Sequence, residues 1–257
     1  MKNTQILVAF LTIVRREIRR FMRIWPQTLL PPAITMTLYF AIFGNLIGSR
    51  IGEMGGFSYM QYIVPGLIMM SIITNSYANV SASFYSAKFQ HNVQELLVSP
   101  TPNWIILMGY VVGGVTRGLF VGFIVTLLSL FFTDMHLENL LITVLVVFLT
   151  AVLFSLGGFV NAVYAKSFDD ISIIPTFVLV PLTYLGGVFY SIDLLPSFWQ
   201  NMSLLNPVLY MVNAFRFGVL GVSDINVGYA IVIILAFIAV LFTYALRLLN
   251  RGHGIRS

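Results

Sequence analysis

The chain has 257 residues, of which 58% are hydrophobic and only 9% charged; that is too little charge to cover a soluble domain, so the composition reads as an integral membrane protein. Lysine and arginine outnumber aspartate and glutamate by 14 to 9, an excess better tested as a topology signal than as a nucleic-acid footprint. The absence of cysteine excludes disulfides, thiolate metal sites and a cysteine nucleophile.

The first apolar run, residues 6–14, is followed rather than preceded by arginines and leads to no small-residue cleavage site, so the N-terminus is expected to be retained. Residues 5–25 predict an interfacial amphipathic helix. Within 10–25, Arg15, Arg16, Arg19, Arg20 and Arg23 share one face, and Leu11, Val14, Ile18, Phe21, Met22 and Trp25 share the other.

Charges then punctuate the chain, leaving uncharged runs between Arg23 and Arg50 and between Glu53 and Lys88. A helix crosses the hydrocarbon core in about 20 residues. The predicted spans are 27–47, 59–84, 104–132, 140–163, 171–191 and 227–249. In the second, Ser71, Asn75, Asn79 and Ser83 form a polar stripe that either bonds to a neighbouring helix or lines a wet path. Residues 85–103 make the one sizeable internal loop, which holds the short amphipathic stretch QELLVSPTP at 94–102, closed by Pro100 and Pro102.

Gly114, Gly118 and Gly122 recur every four residues in the third span, after Gly109 and Gly113, a spacing that lets helix backbones approach closely in lipid. Arg117 is the only charge with no loop to retreat into. Either it meets an anionic cargo group or a buried polar partner, or an over-long span lets it snorkel to the inner headgroups. Ser167 and Asp170 have capping-box spacing, which accounts for Asp169 and Asp170 without paired-carboxylate chemistry. The fifth span, with Pro175, Pro181, Thr183, Tyr184, Gly186 and Gly187, is expected to kink and to offer hydroxyls near its outer half.

The uncharged run 194–215 is long enough to cross, but Pro196, Gln200, Asn201, Asn206, Pro207 and Asn213 suit two short helices, about 197–205 and 208–220. Residues 194–221 are therefore expected to form an outer re-entrant hairpin. With six spans, Lys2, the five arginines of 15–23, Lys88, Lys166, Arg247, Arg251 and Arg256 all lie on the cytoplasmic side, against Arg50 and Arg216 outside. A seventh span would break that positive-inside pattern.

No catalytic, cofactor-binding or metal residue is expected. Lysines occur only at 2, 88 and 166, so no GxxxxGK[ST] phosphate loop can exist. His91, His136 and His253 are scattered over loops. All carboxylates fall outside the spans, which counts against an ion- or proton-coupled secondary carrier, the main alternative, since such carriers use intramembrane carboxylates. A membrane-embedded transferase would need a nucleophile or metal cluster that is not there.

Three segments, QELLVSPTPNWIILMGY at 94–110, PLTYLGGVFYSIDLLP at 181–196 and LNPVLYMVNAFRFG at 205–218, occur in this order. Together they make the chain resemble, over essentially its whole length, the permease subunit of ABC-2-type transporters. The resemblance implies an all-α integral membrane fold forming a single transmembrane domain over 1–257. It has six transmembrane helices, an N-terminal cytoplasmic interfacial helix, a short cytoplasmic coupling helix between spans two and three, and the outer re-entrant hairpin. It also implies a second copy of this permease, two copies of a separate cytoplasmic ABC ATPase subunit that holds ATP and magnesium, contact with membrane lipids, no nucleic acid, and a bacterial inner membrane location with both termini cytoplasmic. The cargo class implied is an amphiphilic, lipid-linked or drug-like compound moved outward. Gln94, Glu95, Leu96, Leu97, Val98, Ser99 and Pro100 correspond to the coupling segment, with the leucines and Val98 expected to fill a groove on the ATPase. Asn75, Asn79, Arg117, Thr183 and Tyr184 become candidates for the substrate path, which in the family lies at the dimer interface. The family's branches with large extracytoplasmic domains do not match, because the outer loops here are short.

Overall fold

The computed structural model describes residues 3–135 and 137–252; Lys2, His136, His253 and Arg256 lie outside the described residues. Helix α1 (Asn3–Arg23) leads into α2 (Trp25–Tyr39), which continues through a π-helical turn (Phe40–Ile47) into α3 (Gly48–Ile51). Strands β1 (Glu53–Met54) and β2 (Phe57–Ser58) pair antiparallel. Their two-residue turn needs positive φ at both positions, and Gly55 and Gly56 supply 60° and 82°.

Helix α4 (Tyr59–Phe89) opens on a capping box, in which Ser58 Oγ accepts from Gln61 N at 3.3 Å and Gln61 Oε1 accepts from Ser58 N at 3.1 Å. There follow α5 (Asn92–Val98), α6 (Asn103–Ser129), α7 (Leu140–Tyr164) and α8 (Phe168–Ile174). After a π turn (Pro175–Leu179) come α9 (Val180–Tyr184), a 3-10 turn (Ile192–Leu194), α10 (Ser197–Leu204), α11 (Pro207–Leu220) and α12 (Val227–Arg251).

Helix α4 is the hub: it packs against α6, α7 and α11, and Val64, Leu67, Met69, Ile73 and Val80 are completely buried. Among the described residues four helices, α4, α6, α7 and α12, are long and apolar enough to cross a membrane. The other two expected spans are divided. Helix runs from Trp25 to Ile51 with Pro31 and Pro32 inside it, and from Phe168 to Tyr184 with Pro175 and Pro181, and each run contains a π turn. Proline removes the N–H that continues an α-helix and pushes the carbonyl four residues back aside, which accounts for the π turn that begins at Pro175; the one at Phe40–Ile47 lies beyond Pro31 and Pro32 and contains no proline. The fifth stretch also ends sooner than the expected 191. Helix stops at Tyr184, and Gly187 at φ 71° turns the chain away.

Carbonyls freed by these interruptions are caught by side chains, as a chain without water around it requires. Ile171 O, which Pro175 cannot satisfy, accepts from Asn161 Nδ2 of α7 at 3.0 Å. Leu182 O accepts from Asn206 Nδ2 at 2.6 Å. Lys88 Nζ donates to Val163 O and Ala165 O, closing the end of α7.

Ser167 and Asp170 cap α8 reciprocally. The Lys166 and Ser167 backbone N–H groups donate to Asp170 Oδ2 at 2.8 and 3.1 Å, and Asp170 N donates to Ser167 Oγ at 3.1 Å.

Candidate functional site

Helix α5 hangs at one end of the bundle, between the long helices α4 and α6. His91, in the left-handed region at φ 60°, makes the turn out of α4, and Pro102 sits before the first residue of α6. Ser99 closes α5, its Oγ donating to Leu96 O at 2.6 Å. The coupling candidates fall into two sets. Val93 is buried, and Leu96 and Leu97 are half-buried against the chain's own core. Glu95 and Pro100 are exposed, and Val98 is 87% exposed. Gln94, Glu95, Val98 and Ser99 line one shallow surface. The apolar anchor offered outward is Val98, while the leucines seat α5 on the bundle.

The polar stripe of α4 has partners. Asn75 Oδ1 accepts from Arg117 Nη2 at 3.2 Å. Asn79 Oδ1 and O accept from Arg20 Nη2 at 2.8 and 3.1 Å. Ser83 Oγ donates to Glu17 Oε2 at 2.5 Å. Glu17, 1% exposed, also pairs with Arg16 at 3.2 Å and with Arg20 at 3.5 Å, and Arg16 Nη2 donates to Tyr110 Oη at 2.6 Å.

Helix α1 is therefore held to α4 and α6 by a charged network. Its buried seam runs through Ile13, Glu17 and Phe21; of the expected apolar face Phe21 lies in that seam, Val14 and Ile18 are half-buried, and Leu11, Met22 and Trp25 remain exposed. The glycines of α6 make room on several sides. A Cβ at Gly113 would meet Glu17 Cβ at 2.6 Å, and one at Gly109 would meet Ile13. Gly118 and Gly122 instead admit α4, through Ser76 Oγ and Ile72 respectively, and Gly114 admits both α4, through Val80 and Ser76 O, and α7, through Ser155 Oγ.

Of the path candidates, Asn75 and Asn79 are buried within this packing, and Thr183 is buried with its hydroxyl donating back to Leu179 O and Val180 O of its own run. Tyr184 is 41% exposed. Its hydroxyl lies 3.2 Å from that of Tyr39 in α2, and its ring stacks on Phe189 with centroids 5.4 Å apart. Arg117 is half-buried and also reaches Thr28 O at 3.5 Å, so it joins α6 to α4 and α2. Arg117→Gln is expected to weaken this junction by about 1–3 kcal/mol, the worth of a charged hydrogen bond, with Lys retaining part of it. Equal melting of wild type, Lys and Gln in detergent would show that the contact contributes nothing.

Two residues escaped the sequence reading. Glu17 stands among five arginines with no local pattern to single it out. Arg216, counted only as an outward charge, is completely buried in α11. It donates to Gly187 O at 2.6 Å and lies 3.9 Å from the centroid of the Tyr62 ring, tying α11 to the bend after α9 and to the start of α4. The one hint in the sequence was its position inside the apolar run 205–220.

Among the described residues there is no cluster of metal-ligand type. Comparison with known proteins gives a consistent picture. Residues 8–220 match the family described as ABC-2 type transporter. The chain is 60% identical to the inner membrane transport permease YadH of Escherichia coli (strain K12) over 250 residues, covering 97% of this chain and 98% of that protein. It is 24% identical to nodulation protein J of Rhizobium leguminosarum bv. viciae over 83% of each chain. To nodulation protein J of Neorhizobium galegae it is 22% identical, over 86% of this chain and 85% of that one.

Proposed function

This chain belongs to the ABC-2 type transporter family and is a transport permease, and we propose that it is the membrane subunit of an ATP-driven exporter in the bacterial inner membrane. In this reading it crosses six times, with the runs 25–51 and 168–184 as the first and fifth spans and 194–221 as an outer hairpin. Two copies pair, and two separate ATPase subunits drive them from the cytoplasmic side, holding the ATP and magnesium for which this chain has no phosphate loop. The location is supported by the relative named as an inner membrane permease.

The observation that carries the reading is α5. It joins α4 and α6, two long helices that pack against each other, and presents Val98 and Glu95 outward from a seat made by Val93, Leu96 and Leu97. Force on such a lever reaches both helices at once. The aromatic surface of Tyr39, Tyr184 and Phe189 supports an amphiphilic, lipid-linked or drug-like cargo. Tyr184 is the exposed member of the candidate path, whereas Asn75, Asn79 and Thr183 are buried and Arg117 is half-buried.

The test separates the docking face from the seat. Val98→Asp removes the apolar anchor and Glu95→Arg reverses the charge, both at exposed positions, so insertion and melting should stay as in wild type. Binding of the ATPase is expected to weaken by at least about tenfold, since burying one valine side chain is worth roughly 1.5 kcal/mol or more. The Leu96→Ala, Leu97→Ala pair should differ by lowering the permease's own melting temperature as well. ATPase binding and stimulation at wild-type levels in Val98→Asp and Glu95→Arg would make α5 a plain connector.

A further inference from the structure

We infer that the cleft between α1 and the end of α4 is a binding site for the phosphate of an anionic phospholipid, separate from the proposed cargo path and from the docking face of α5. The cleft has a volume of about 910 Å³ and is lined by Arg15, Arg16, Arg19, Arg20 and Arg23. These arginines divide in two. Arg16 and Arg20 are engaged by Glu17, Tyr110 and Asn79, so the single carboxylate in the cleft is already neutralised. Arg15, Arg19 and Arg23 are exposed and follow one another every four residues. Among the described residues they make no hydrogen bond or ion pair.

That leaves three uncompensated guanidinium groups along about 12 Å of one helix face. Guanidinium forks match phosphate oxygens in geometry and charge. The opposite wall offers neutral polar groups, Ser86, Gln90 and Asn92, suited to a headgroup's hydroxyls.

The rim distinguishes a lipid from a free anion. Val8, Leu11 and Ile24 line the same cleft and are 58%, 53% and 39% exposed, an apolar border next to the charge. A phosphate carrying hydrocarbon satisfies both parts, whereas inorganic phosphate would leave that border in water. The network around Glu17 keeps the cleft formed, because it fixes α1 at the distance that α6 Gly113 allows.

The experiment titrates the full-length protein in detergent with short-chain phosphatidylglycerol, short-chain phosphatidylcholine and inorganic phosphate. Phosphatidylglycerol is expected to bind and the other two to fail at equal concentration. The Arg15→Gln, Arg19→Gln, Arg23→Gln triple variant should lose at least about tenfold in affinity, since each basic group at a membrane surface is worth about fivefold. Gln90→Trp, which fills the cleft without changing charge at an exposed helix end, should lose a comparable factor and guards against a triple variant that fails to fold. The Lys166→Gln, Arg247→Gln, Arg251→Gln control removes three exposed charges elsewhere and should bind as wild type. Equal loss in the control would overturn the site in favour of diffuse attraction. Competition by inorganic phosphate at the affinity of phosphatidylglycerol would overturn the lipid assignment, and wild-type binding by Gln90→Trp would place the lipid outside the cleft.

Discussion

Glu17→Ala is expected to release α1 from the bundle. The carboxylate is 1% exposed and holds three partners, Ser83, Arg16 and Arg20, on two different helices. Its removal leaves two arginines facing each other with nothing between them and strands the Ser83 hydroxyl. Breaking one partner out of a fully buried ion pair costs about 3–5 kcal/mol. Here the arginine side chains keep 44% and 33% exposure, and solvent screens part of the loss, so about 2–4 kcal/mol is expected. Glu17→Gln should fall between, since an amide can still accept from Ser83 but carries no charge. The measurement is thermal unfolding in mild detergent together with amide exchange of residues 3–23, which should accelerate in the order wild type, Gln, Ala. Unchanged melting and exchange in Glu17→Ala would mean that α1 is held by Ile13 and Phe21 alone.

Gly118→Leu should be comparably disruptive for a different reason. A Cβ at that position meets Ser76 Oγ and lies 3.3 Å from Ile72 O, so a longer side chain runs into the backbone of α4 and not only into a side chain that can turn away. Overpacking costs about 1–3 kcal/mol where side chains can adjust, and a backbone obstacle places this substitution at or above the upper end. Gly157→Leu is the matched control, because its Cβ would find Tyr77 ring atoms at 3.7 Å, an ordinary contact. Loss of monodisperse protein for Gly118→Leu but not for Gly157→Leu is the expected result. Equal yields would show that α4 and α6 can slide apart freely.

What could be read in the sequence was what lipid imposes directly. Long apolar runs, uncharged except for Arg117 in the third, pointed to α4, α6, α7 and α12, because a spanning helix has a minimum length. The prolines and amides of 194–215 gave two short helices, now α10 and α11, since Asn206 and Pro207 end one and begin the other. Ser167 and Asp170 gave a cap that depends only on local spacing.

What escaped depends on which helix lies opposite. Asn75, Asn79 and Ser83 of the stripe meet charged groups from other helices, and no periodicity in α4 says that Asn75 meets Arg117 or that Ser83 meets Glu17. Glu17 sits among arginines as it would on a solvated face; only the absence of a side chain at Gly113 lets it be buried. Arg216 escaped in the same way, one of its carbonyl acceptors lying in the bend at Gly187 and the other, Tyr62 O, in α4. The π turns were not legible either. Prolines announced irregularity, but the number of residues a widened turn takes up is set by the neighbours that catch the freed carbonyls.

The central claim is that a permease without its own nucleotide site is driven through α5 by a separate ATPase. It is tested most directly by purifying the chain from its native membrane in mild detergent, then measuring subunit masses by native mass spectrometry and ATP hydrolysis on the same sample. The predicted result is a complex of two permease chains with two nucleotide-binding subunits, hydrolysing ATP, from which Val98→Asp removes the nucleotide-binding subunits while the permease chains remain intact. A stable permease with no nucleotide-binding subunit and no ATP hydrolysis, or a complex that Val98→Asp and Glu95→Arg leave whole and active, would contradict it.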